Sequence, residues 1–490
     1  MLKWMRKKGI FILAVLVLTV PSLMITRYAY PCQDDFHYAF YAQETLAEGH
    51  GLFYMAMKWT IEYYKTFRGC YTSSFLGYFI SGIINCDLWG IRVFEFCSLL
   101  FFYGVLYLFL YAVAHKLMGF PRERVLPFYC ALLAMFNGLI YYEWHEAFYW
   151  FITSIQYLMI TSLILLGIVS FSFGLCEEGG RKKLLLYIVA SILGFLGSGG
   201  TLSIAAFCCA LYLMVAVWGI IDRRELKVPC IVMGITLLGA IINGLAPGNY
   251  LGAGKAITIR DVIYASKMSV KYTIERWETF VSNPVFWIIV ILLCGFVFSS
   301  ERQQNRFDFK LPGLFVLVLF GFVSGIIFPA MLGYGYDVYE ILMRGNFISD
   351  TAFYLYIFIG MLYIKGWLDR KYSAVSQKIV NRDTICIGCF LLAALLVLER
   401  DDWDRIPFIA EYRELSAGMF AQYSDFCVNI YRQIEESDQD IVEIHTDFVE
   451  QWVCLIGPQF FEGWYDPDEE YGNRTIARFY GKRAIYIYYN

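Results

Sequence analysis

A series of long apolar runs, separated by short connections of alternating charge, constrains this chain more than any other feature. A helix needs roughly 20 apolar residues to cross the hydrocarbon of a bilayer. Runs near or beyond that length lie at residues 10–25 and near 91–117, 125–142, 150–176, 184–198, 201–221, 228–245, 284–299, 311–331, 349–367 and 384–398. That makes about eleven spans. Charged residues form 17% of the chain, against about 25% in soluble domains. The expected fold class is an all-α polytopic membrane protein.

Loop charge predicts the orientation. Every second connection is basic: Lys116/Arg122/Arg124, Arg181/Lys182/Lys183, Arg223/Arg224/Lys227, Arg302/Arg306/Lys310 and Lys365/Arg370/Lys371/Lys378. The short connections between them, near 143–149, 199–200 and 332–348, carry almost no Lys or Arg. Basic loops stay in the cytoplasm. With Lys3, Arg6, Lys7 and Lys8 ahead of the first run, this places the N-terminus inside and the C-terminus outside. No small-residue cleavage site follows the first run, so it reads as an uncleaved signal anchor.

Two regions depart from this pattern. Residues 68–85 are apolar enough to span, but counting them would put the basic clusters outside. They and the aromatic stretch 51–67, with Lys58, Glu62 and Lys65, are expected as outer-face juxtamembrane helices within an outer loop of 29–90. From Glu399 the chain turns polar. The expected division is a transmembrane domain over 1–398 and a small extracytoplasmic α/β domain over 399–490. In the latter, helical periodicity covers 409–436 and strand-like runs cover 440–445 and 484–489. Asn473 is expected to cap a helix running through Arg478 to Gly481.

Composition also narrows function. No basic stripe suits a nucleic acid. Most of the 14 cysteines lie in apolar stretches, where they read as small core residues. Cys32, Cys70, Cys86, Cys427 and Cys454 lie elsewhere; their spacing is no metal pattern and leaves room for one disulfide.

Four places carry candidate chemistry. Directly after the first span, YPCQDDFHY sets Asp34 and Asp35 among aromatics, with His37 and Tyr38 behind them. An Asp beside a hydroxyl can accept its proton as attack begins. Paired carboxylates can also hold a divalent cation such as Mg or Mn, and two acids in a loop can simply be solvated. On an extended segment the two would face opposite ways, one toward a reaction centre and one toward structure. The second place, YYEWHEAFYW, holds Glu143, His145 and Glu146 among rings that suit a sugar face, as they would suit a membrane boundary. The third, APGN at Ala246–Asn249 followed by Lys255 and Arg260, could take phosphate on amides and cations; its glycines follow no strand and match no nucleotide loop. The fourth is Arg344, suited to bidentate phosphate binding or to an ion pair with Asp337 or Glu340. Asn473–Arg474–Thr475 spells a glycosylation sequon, read as chance in a bacterial chain.

DDFHY, FYW (Phe148–Trp150), APGN and the terminal ARFYGKRAIYIY together resemble the GT-C superfamily of membrane glycosyltransferases, and within it a group of bacterial membrane proteins usually assigned there. In that superfamily an acidic residue follows span one and juxtamembrane helices come next. The likeness covers most of the chain through short motifs, and it lacks the outer catalytic domain of oligosaccharyltransferases. It implies a polyprenyl-phosphate-linked sugar donor, a glycan or lipid-linked acceptor, and Asp34 or Asp35 as general base or cation ligand. It also implies a bacterial plasma-membrane setting. His37, Tyr38, Glu143, His145, Glu146 and Asn249 are the expected substrate contacts. Lys255, Arg260 and Arg344 are expected for the donor phosphate on electrostatic grounds. A flippase for a lipid-linked saccharide and a non-catalytic glycan-assembly protein remain as alternatives.

Overall fold

The computed structural model describes residues 2–139, 145–223, 225–253, 257–298, 310–334, 343–371, 406–447 and 471–489. Helix α1 (Leu2–Ile25) carries the first apolar run. Three shorter helices follow: α2 (Gln33–Ala47), α3 (Leu52–Thr66) and α4 (Tyr71–Ile84). At 14 residues α4 is about 21 Å long, short of the roughly 30 Å of hydrocarbon, which fits the exclusion of 68–85 from the spans. It stops at Asn85, whose φ of 53° is the left-handed conformation that ends helices.

Next come α5 (Leu88–Leu110), α6 (Val125–Gly138), α7 (His145–Tyr149), α8 (Phe151–Thr153) and α9 (Ile160–Cys176). A wider π turn, Ser154–Met159, joins α8 to α9. Helices α10 (Gly180–Gly197) and α11 (Leu202–Arg223) pack against α9, and α12 (Lys227–Gly244) packs against both of them. The short α13 (Pro247–Ala253) precedes α14 (Ile259–Val281), α15 (Pro284–Phe298), α16 (Pro312–Tyr334) and α17 (Met343–Lys371).

Seven of these stretches are long and apolar enough to cross a membrane: Gly9–Tyr28, Leu88–Leu117, Phe151–Cys176, Leu202–Asp222, Lys227–Gly244, Pro312–Gly333 and Gly345–Lys371. An eighth results if α14 and α15, bent by 86° at their junction, form one broken span. The chain is an integral, helical membrane protein. The difference from about eleven spans has local causes. Helix α6 stops at Gly138 after 14 residues. Helix α10 opens with Arg181, Lys182 and Lys183. Helix α15 has only 15 residues. The run at 384–398 lies outside the described residues.

The C-terminal part is mixed, as its composition predicts. Helices α18 (Pro407–Ser416) and α19 (Met419–Glu436) replace one continuous helix. Gly418 between them has φ 74°, a conformation open to glycine at no steric cost. Strands β1 (Ile441–Thr446) and β2 (Ala484–Tyr489) pair in parallel, Ile441 opposite Ala484. Helix α20 (Tyr471–Phe479) precedes β2 and packs on it. It starts two residues before Asn473, so Asn473 is not its cap. That side chain is buried and its amide donates to the Ile485 carbonyl at 3.4 Å, which leaves no room for a glycan.

This part does not stand off from the bundle. Helix α18 lies along α1, where the Tyr412 hydroxyl reaches the Val17 carbonyl. The Tyr431 hydroxyl donates to the Pro31 carbonyl at 2.6 Å. Phe36 of α2 packs its ring against Tyr431 (5.1 Å), Phe479 (5.2 Å) and Tyr480 (6.0 Å).

Candidate functional site

The Asp pair opens a helix rather than lying on an extended segment. Cys32 is the extended N-cap, and Asp34 and Asp35 fill the first turn of α2, where carboxylates complement the helix dipole. Asp35 is fully buried. One of its oxygens accepts from the Cys32 amide at 2.7 Å, and the other from the Ile152 amide at 2.9 Å. It thereby ties the turn after the first span to the start of α8. Burial pushes its carboxyl well above the ordinary carboxylate range, and the two amides partly offset this.

Asp34, one position back, is half-buried and faces a different set. Its charge acts on His37, Tyr38, Tyr63 and Tyr78. These rings form a wall built from three helices. Tyr38 of α2 lies 4.3 Å from Tyr78 of α4 and 6.5 Å from Tyr63 of α3, centroid to centroid. Tyr41 stacks close to Trp59 at 4.2 Å, and Trp59 is fixed by an indole hydrogen bond to Thr45 Oγ1 at 2.8 Å. The π turn before α9 contributes Gln156, whose amide donates to the Tyr38 hydroxyl at 3.4 Å.

Positive charge arrives from the far end of the chain. Helix α20 packs on α2, and burial lowers the His37 pKa below its ordinary 6.5. The Asp34 charge opposes that shift, while Arg478 and Arg474 reinforce it. His37 is therefore neutral at neutral pH. Arg68, half-buried over the Phe67 ring at 4.9 Å, acts on Tyr63 from the other flank.

The remaining expected residues divide. Asn249 is a joint: its Nδ2 donates to the Asn243 carbonyl at 2.7 Å and its Oδ1 accepts from the Gly69 amide at 3.0 Å. Asn243 in turn donates to the carbonyls of Ser198 (2.9 Å) and Gly200 (2.6 Å). Gly248 lies so close to α3 that a Cβ there would stand 2.5 Å from the Phe67 nitrogen. Arg260 is exposed on α14, and Arg344 is the second residue of α17. Lys255 and Glu143 lie outside the described residues, as do Asp337 and Glu340.

His145 is buried and stacks on Tyr149 at 5.9 Å, with Glu146 half-buried beside it. They border a second polar cluster that the sequence did not announce. There the Ser22 hydroxyl donates to Glu411 at 3.2 Å, and the Tyr149 hydroxyl reaches the other Glu411 oxygen at 3.3 Å. Burial pushes the Glu411 carboxyl up to about 8, against the two hydroxyls and with the help of Glu414.

As a cation site the Asp pair fits poorly, because both Asp35 oxygens already hold amides. Among the described residues no three His, Cys, Asp or Glu side chains are grouped to hold a metal ion. Sequence reasoning missed Arg474, Arg478, Tyr63, Tyr78 and Gln156; the only signal was two arginines one helical turn apart in NRTIAR, residues 473–478. Compared with protein-family models, with curated proteins and with solved structures, the chain gives no match.

Proposed function

We propose that this protein is a membrane glycosyltransferase that moves a sugar from a polyprenyl-phosphate donor to a glycan or lipid-linked acceptor, with Asp34 as general base. The observation that carries the reading is the division of labour in the Asp pair. Asp35 is spent on two backbone amides, while the charge of Asp34 acts on an aromatic wall and, with Arg474 and Arg478, on His37. Aromatic faces suit the apolar side of a pyranose, and a carboxylate suits its hydroxyls. In the reaction the acceptor oxygen attacks the anomeric carbon, its proton passes to Asp34, and the bond from that carbon to the phosphate oxygen breaks. The configuration inverts. The leaving phosphate needs positive charge fixed in advance. The setting of this reading is a bacterial plasma membrane with the Asp34 face outside.

A second reading, carriage of a lipid-linked saccharide across the bilayer, draws support from one observation. Asp350, fully buried in the Gly345–Lys371 stretch, makes a two-pronged ion pair with Arg276 at 2.9 and 2.7 Å. Ionisable groups at such positions often mark substrate paths.

The test uses purified protein in proteoliposomes with radiolabelled polyprenyl-phosphate sugars. Asp34→Asn is expected to abolish release of lipid phosphate while Asp350→Asn spares the chemical step. Sugar crossing the membrane without transfer, insensitive to Asp34→Asn, would replace the transferase by the carrier.

A further inference from the structure

The first span carries a socket for α18. Pro21 stands inside α1 and has no amide hydrogen, so the Val17 carbonyl one turn earlier loses its helical donor. The Tyr412 hydroxyl of α18 reaches that carbonyl at 3.3 Å. The residues beside these two, Ser22 and Glu411, meet in the core. The Ser22 hydroxyl donates to one Glu411 oxygen at 3.2 Å, and the Tyr149 hydroxyl lies 3.3 Å from the other and 3.2 Å from the Ser22 carbonyl. Glu411 is fully buried, and among the described residues no Lys, Arg or His pairs with it. A carboxylate buried without a cation is strongly disfavoured, and such a group takes up a proton instead. The proton completes a ring: Ser22 donates to Glu411, Glu411 to Tyr149, and Tyr149 to the Ser22 carbonyl. The one proton of Tyr149 then has one acceptor rather than two.

On α18 itself Glu414 is buried, with Arg413 3.6 Å away. His145 stacks on Tyr149, and Tyr103 of α5 feels the Glu411 charge. Of the helices packed on α18, α6 has no charged residue, α1 has Lys3, Arg6, Lys7 and Lys8 only at its far end, and the charges of α19 are exposed. We propose that α18 is a proton-dependent clasp, lying on α1 while Glu411 holds a proton and loosening when the proton is lost. Water can solvate the ionised carboxyl only where α18 has opened, so proton loss and opening favour each other. The clasp bears on the candidate site, because α19 follows α18 after Ala417 and Gly418 and covers the acidic turn through Tyr431 and Pro31.

Amide hydrogen exchange of the full-length protein in detergent tests this, read as protection of α18 relative to a free amide at the same pH. The Glu411 carboxyl lies at about 8 in the fold against an ordinary 4.5. A folded value above the unfolded one means that its share of the protection is complete at low pH and is lost as pH rises to about 8. In the wild type, protection of α18 is expected to fall about tenfold per pH unit between about pH 6 and 8 and then to level. Glu411→Gln keeps the shape and can donate and accept like the protonated acid, so its protection should stay level. Tyr412→Phe removes the bond to Val17 and should lower protection about three- to tenfold at every pH, with the wild-type slope kept. Level protection in the wild type overturns the proposal, as does an equal slope in Glu411→Gln. Protection of α18 equal to that of α9 and α10 at every pH also overturns it, because the helix would then open only with the whole fold. Should the Gln variant not fold, the wild-type profile decides: a plateau above about pH 8 supports the clasp, and a slope without one overturns it. The proposal is independent of the transferase reading, which turnover decides.

Discussion

Two turns follow apolar helices in this chain, and both drew notice from their residues, yet they do opposite work. The turn around Asn243–Asn249 spends its polar side chains on carbonyls and amides of other loops, and Gly248 sits where a methyl group would strike Phe67. In the turn around Cys32–Tyr38, Asp35 spends both carboxylate oxygens this way. Asp34 is half-buried, and its charge acts on the rings of His37, Tyr38, Tyr63 and Tyr78. The difference teaches how to tell a joint from a candidate site. The joint at Asn243–Asn249 ties its side-chain amides to fixed backbone, whereas Asp34 stays half-buried at the edge of an aromatic wall.

Substitutions can break or sharpen that contrast. The largest expected effect is Asp34→Asn, with turnover falling about 10²–10⁴-fold and a melting curve close to wild type. Loss of folding there instead would move Asp34 into the joint class. Next is Gly248→Ala, expected to cost about 3 kcal/mol in thermal or denaturant unfolding through overpacking. Asp35→Asn should resemble Gly248→Ala more than its neighbour. It leaves one amide facing a like donor and lowers stability by about 2 kcal/mol, with turnover per folded molecule falling far less than in Asp34→Asn. Equal loss of turnover in both Asp variants would dissolve the distinction.

The smallest effect concerns the Glu411 cluster, which resembles a joint built on a titrating group. Its carboxyl is raised to about 8 in the fold, so the folded state holds a proton that the unfolded chain releases near pH 4.5. That contribution is fully present below the unfolded value and is lost as pH rises through about 8. Between pH 7 and 9 the loss is about 1 kcal/mol. Melting temperature against pH should show this slope in the wild type and a flatter one in Glu411→Gln.

Much of the fold is legible in the sequence because its causes are local. Apolar length marks the spans, Leu52–Thr66 and Tyr71–Ile84 are too short or too polar to join them, and alternation marks both strands. Hydropathy registers greasiness without registering where a helix stops or where its charges sit, which is why α6, α10 and α15 fall short of a span taken singly. The candidate site is half legible. Asp34, Asp35, His37 and Tyr38 stand out as neighbours in the chain. Which Asp is structural depends on the Ile152 amide, and which cations attend the other depends on α20, hundreds of residues away. The bonds of Asn249 are illegible in the sequence for the same reason, since its partner Gly69 is 180 residues back.

The hydrogen bond from Tyr431 to Pro31 spans 400 positions of the chain, and Phe36 meets Phe479 across a still wider interval. During synthesis the first helix and its acidic turn leave the ribosome long before the residues that cover them exist. A nascent chain, however well inserted, lacks Tyr431, Phe479 and Tyr480, which cover this turn. The acidic turn is covered only once its last partners have been made, and a stop codon a few dozen residues early would leave a bundle in the bilayer with an unclosed end.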